Sequence, residues 1–104
     1  MKPLYYESHV TIEPVFGSRL ERFKFVAARW GFHVATLLLQ KNRKDTEERS
    51  NKDAFCTGRS EDRKQLTKRM DSLVLDLQAC GFQVWRYKIE AALIDVKLER
   101  KISP

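Results

Sequence analysis

Hydrophobic and polar positions along the chain follow two rhythms, and the switches between them divide it into elements. Over residues 5–15, Val10 and Ile12 alternate with His9, Thr11 and Glu13, which predicts a half-buried strand; Pro14 cannot donate to a ladder, so pairing should weaken there. Phe16 and Gly17 form a turn. Ser18 with Glu21 three residues on reads as a capping box, and Leu20, Phe23, Ala27 and Trp30 then recur at helical spacing up to Gly31. The short apolar run Phe32–Gln40 predicts a second strand, and residues 53–58 a short third one. Ser60, followed by Glu61 and Asp62, offers an N-cap and favourable charge for a second helix, whose apolar stripe is Leu66, Met70, Leu73, Val74 and Leu77. Gly81 closes it. Residues 82–95 give the last strand.

Strand, helix, strand, strand, helix, strand is the order of two interleaved β-α-β units. It predicts an α+β, ferredoxin-like βαββαβ fold: a four-stranded antiparallel sheet in spatial order 4-1-3-2 with two helices on one face. Gly31-Phe32-x-Val34 and Gly81-Phe82-x-Val84 each follow a helix and open a strand, an internal echo of that duplication. The 104 residues suit a single domain, 1–104, and a 42% hydrophobic fraction is enough for one core. Residues 41–52 contain no aliphatic or aromatic side chain and read as a charged loop; residues 97–104 read as a frayed tail. Leu37-Leu38-Leu39 on an edge strand would invite pairing with a second chain.

Charge narrows the partners. Twenty Lys and Arg against 14 Asp and Glu leave a net charge of +6, which favours an anionic partner such as nucleic acid, a nucleotide or an acidic protein surface. No apolar run is long enough to span a membrane, so no membrane partner is expected. Cys56 and Cys80 form neither a disulfide framework nor a metal clip, and two reduced thiols suit a cytoplasmic setting. With His9 and His33 they lack metal-ligand spacing, and no Gly-rich phosphate loop occurs, so neither metal nor cofactor is expected.

Candidate chemistry gathers on the sheet face away from the helices. If Val10 and Ile12 point inward, His9, Thr11 and Glu13 point out. In the last strand Trp85, Tyr87 and Ile89 are expected inward, leaving Arg86, Lys88 and Glu90 outward beside His9, where Lys88 or Arg86 would pair with Glu13. The third strand is ambiguous. Phe55 and Thr57 outward would add an aromatic platform for base stacking, with Thr57 and Arg59 as further phosphate contacts; Ala54 and Cys56 outward would not. His33, just past a helix C-terminus, reads as a structural histidine. The basic side chains of both helices read as solvated faces.

His9-Val10-Thr11-Ile12 resembles the H-x-T-hydrophobic strand motif of the two-histidine phosphoesterases, the RNA ligase-like group acting on 2′,3′-cyclic phosphates. The resemblance implies a lobe of ferredoxin-like character, with His9 as general acid/base and Thr11 as phosphate contact. The second H-x-T of that group is missing, since Val34-Ala35 follows His33. A homodimer would supply a second His9. Three functions therefore stand open: a basic, non-enzymatic module binding nucleic acid or a nucleotide on the open sheet face; a phosphoesterase-like enzyme completed by dimerisation; and an accessory protein that binds another protein.

Overall fold

A computed structural model describes residues 3–34 and 53–93. The elements are β1 (Tyr5–Ile12), α1 (Ser18–Arg29), β2 (His33–Val34), β3 (Ala54–Ser60), α2 (Arg63–Ala79) and β4 (Val84–Ala92). All pairings are antiparallel and the sheet order is β2-β3-β1-β4, the ferredoxin-like arrangement expected, with both helices on one face. The expected strand over 35–40, Leu37–Leu39 at the sheet edge, the loop 41–52 and the tail 97–104 lie outside the described residues.

Period-2 alternation sends Val10 and Ile12 of β1 and Ala54 and Cys56 of β3 into the core, where Leu20, Phe23, Val26 and Ala27 of α1 and Leu66, Leu73 and Leu77 of α2 cover them. Small residues line the inner side of β3 because an aromatic ring occupies the space above. A Cβ built on Gly58 would lie 2.9 Å from three ring carbons of Phe32. Phe82 packs from the other end, its ring centroid 6.0 Å from that of Phe23.

The helix ends differ from their sequence signals. Ser18 and Glu21 form no capping box: the N-cap is Gly17, at φ 62°, and its carbonyl accepts the Glu21 N–H. Glycine tolerates that backbone, and the turn places Ser18 inside the helix, where its hydroxyl no longer faces the free amides. At α2 the cap is Asp62, which accepts the N–H groups of Lys64 and Gln65, while Ser60 accepts the Asp62 N–H one step earlier. A carboxylate beside the helix's free amides is the stronger acceptor.

Arg69 of α2 reaches back to the end of α1. Its guanidinium donates to the carbonyls of Trp30, Gly31 and Arg59 and to the Gln65 side chain, which joins α1, β3 and α2 through one side chain. Asp76 adds a second tie by accepting from Trp30 Nε1 at 2.9 Å and from Arg29 at 3.1 Å.

β4 departs from expectation. Tyr87 pairs with Val10 and so lies on the helix side of the sheet, but it is 51% exposed. Trp85 is exposed to the same degree, at a register shift where Thr11 faces Arg86 while Ile12 faces Val84. β4 is an edge strand, and the helices cover the middle of the sheet more fully than its margin. The extra residue at the bulge leaves Trp85 without an inward partner position. Only Ile89 and Val84 of this strand pack against the core, and they do so while partly exposed.

Candidate functional site

The open face is built from the residues that alternate with the core positions. Register fixes its rows. One row runs across all four strands as His33, Thr57, His9 and Lys88; the next holds Phe55, Thr11 and Arg86; a third holds Arg59, Glu7 and Glu90. The ambiguity of the third strand is thereby resolved: Ala54 and Cys56 are buried, while Phe55 is 41% exposed on the open side.

His9 sits at the centre of a hydrogen-bonded chain. Its Nε2 lies 3.1 Å from Glu7 Oε1 and its Nδ1 3.2 Å from Thr57 Oγ1. A carboxylate only accepts, so in the neutral ring Nε2 carries the proton and the Nδ1 lone pair accepts the Thr57 hydroxyl. Glu7 is fixed in turn by Arg59, whose Nε donates to Oε2 at 2.9 Å and whose guanidinium lies 4.8 Å over the Tyr5 ring. A carboxylate on one imidazole nitrogen and a hydroxyl on the other orient the ring and fix its tautomer.

The cations expected to meet phosphate are each matched by a carboxylate. Arg59 pairs with Glu7, Arg86 with Asp53 at 3.1 Å, and Lys88 with Glu90 at 2.6 Å. The hydrogen bond from Lys88, then its charge, holds the exposed Glu90 carboxyl below its ordinary value, and the nearby His9 adds a smaller effect in the same direction. Glu13 pairs with neither Lys88 nor Arg86. It lies past the end of β1 and accepts from Arg19 and the Gln83 N–H, tying α1 and the α2–β4 turn to the sheet. Thr11 faces the open side but is only 7% exposed, flanked in register by Phe55 and Arg86.

The face is therefore close to neutral. Residues 3–34 and 53–93 together hold eleven Lys and Arg against nine Asp and Glu, so most of the chain's positive excess is carried by the remaining sequence. A groove of about 590 Å³ runs along α1, lined by Arg19, Arg22, Phe25, Arg29 and Cys80, but two of its arginines are held by Glu13 and Asp76 and it contains no imidazole. Among the described residues no three His, Cys, Asp or Glu side chains gather closely enough to hold a metal, and no helix is long and apolar enough to cross a membrane.

Of the residues singled out in the sequence, His9, Thr57 and Arg59 converge, with Lys88 opposite His9 and Glu90 beside it. Glu7 was missed, although its two-residue spacing from His9 put it on the same side. His33 was seen and read as structural; it is exposed and sits directly across from Thr57. No family model, curated protein or solved structure matches the chain.

Proposed function

We propose that the open sheet face binds single-stranded nucleic acid, one nucleotide at a time lying across Phe55 and the His9 row. The observation that carries this reading is the exposed Phe55 ring, on the same strand face as Thr57 and two residues away. Two strand residues span about 7 Å, so a base stacked on Phe55 leaves its phosphate within reach of Thr57, His9 and Lys88. Stacking tolerates any base and needs an unpaired one, which favours single strands over duplex. Arg59, Arg86 and Lys88 contact phosphate by exchanging a carboxylate partner for a phosphate oxygen.

That exchange sets the expected behaviour. Three cations at about 0.7 counterions per phosphate give a salt slope of about −2 in log K against log salt. The test is fluorescence anisotropy with 12-nucleotide uridine and deoxythymidine strands and a matching duplex. Single strands should bind more tightly than duplex, and Phe55→Ala should weaken binding by about tenfold. Equal affinity of Phe55→Ala and parent protein, or a preference for duplex, would remove the reading. A slope much steeper than −2 would place the contacts outside this face.

A further inference from the structure

Resting on that reading, we infer that the strand bound there is RNA and that His9 and His33 cleave it, acting as base and acid on either side of one phosphodiester. The geometry that points to this is the row itself. Thr57 is paired in register with His9 on one side and with His33 on the other. The two imidazoles therefore flank a central hydroxyl on one face, on strands two spacings apart, about 10 Å between backbones. A phosphate group resting on Thr57 lies between them. The second imidazole that the sequence motif lacks is thus supplied within one chain, by sheet register, and no second copy is needed.

The roles follow from the hydrogen bonds. His9 Nδ1 accepts the Thr57 hydroxyl at 3.2 Å, and its other nitrogen is held by Glu7 at 3.1 Å. A ribose 2′-hydroxyl that takes the place of the Thr57 hydroxyl meets a lone pair already aimed at it, and Glu7 steadies the imidazolium that forms. Glu7 is a positioning residue, since it touches the His9 ring and none of the reacting atoms. His33 is exposed and its side chain makes no hydrogen bond among the described residues, so its ring is available to a departing group. Lys88, across from His9, is placed to meet the charge gathering on the phosphoryl oxygens.

The step balances without metal or redox partner. The 2′-oxygen loses its proton to His9 Nδ1 and forms a bond to phosphorus. The bond from phosphorus to the 5′-oxygen breaks, and that oxygen takes a proton from His33. The products are a 2′,3′-cyclic phosphate and a 5′-hydroxyl end, and exchange with water restores both imidazoles.

The experiment uses the full chain with a 5′-labelled uridine 12-mer in EDTA-containing buffer, read by gel and mass spectrometry, beside the same strand with 2′-deoxy sugars. Cleavage of the ribose strand to ends carrying a cyclic phosphate, none of the deoxy strand, and a loss of about 100-fold or more in each of His9→Ala and His33→Ala are expected. Both variants should keep the parent's circular dichroism, and any loss of deoxy-strand binding should be far smaller than the loss of cleavage. Glu7→Gln should lower turnover with little change in KM. An intact ribose strand that nevertheless binds overturns the cleavage and leaves the binding reading in place; failure to bind either strand overturns that reading. Cleavage unchanged in His33→Ala overturns the pairing of the two imidazoles.

Discussion

Ser8 and His9 are neighbours in β1 that face opposite sides of the sheet, and their hydrogen bonding is the reverse of what burial alone dictates. Ser8 is fully buried and its hydroxyl has no partner among the described residues, whereas His9 is partly open to water and both of its ring nitrogens are bonded. Desolvation is what normally compels polar groups to pair. On the inner face space decides instead: Ser8 lies in register between Gly58 and Ile89, on the small-residue side of β3. On the outer face water was always available, so the chain Arg59–Glu7–His9–Thr57 owes its order to side chains that fit one another.

The largest expected contrast between the two faces is chemical. Burial pushes the Cys56 thiol from 9.0 up to about 12, with a weak bond to the Val10 carbonyl acting the other way. Its thiolate at pH 8 is then about a thousandfold scarcer than that of a free thiol. Iodoacetamide should modify the half-buried Cys80 in the native protein and reach Cys56 only after unfolding, as mass spectrometry of digests will read. The linkage sign is definite. An unfolded thiol ionises near 9 and the native one near 12, so stability present below pH 9 is lost progressively as pH rises between them.

Next in size is Gly58→Ala. The added methyl meets the Phe32 ring at 2.9 Å, and the ring is enclosed, so a loss of about 1–3 kcal/mol is expected in urea unfolding. An unchanged midpoint would mean that Phe32 can shift and that the inner face is looser than described. The smallest effect has the opposite sign. Ser8→Ala removes a buried, unpaired hydroxyl and should leave stability unchanged or raise it by up to about 1 kcal/mol. A loss of more than 1 kcal/mol would show that the hydroxyl is bonded in solution and that the two faces differ less.

The fold was legible because each element buries one stripe, and the stripes of β1, α1 and α2 are unmixed in the sequence. The orientation of β3 was not. Ala54, Cys56 and Gly58 against Phe55, Thr57 and Arg59 gives no clear apolar side, and a preference for burying the larger hydrophobe would have turned Phe55 inward. Phe32 decides the matter by filling the space over Gly58, which is a tertiary fact. Trp85 and Tyr87 misled for a related reason: alternation records which side a residue takes, and the cover over that side depends on where the strand lies in the sheet. His33 is the clearest case. The role proposed for it rests on its standing across from Thr57, and register between strands far apart in sequence leaves no local signature.

The Arg69 clasp has a consequence on the far side of the sheet. It grips the carbonyls of Trp30 and Gly31, and His33 begins two residues later, in a strand for which only two paired residues are described. The backbone that carries that imidazole is therefore held from beneath, by a planar, half-buried cation on the helix side of the sheet. A lysine there would preserve the charge yet lack the rigid fork to hold the same acceptors together. The molecule's most exposed histidine would then be shifted by a change made on the opposite side of the sheet.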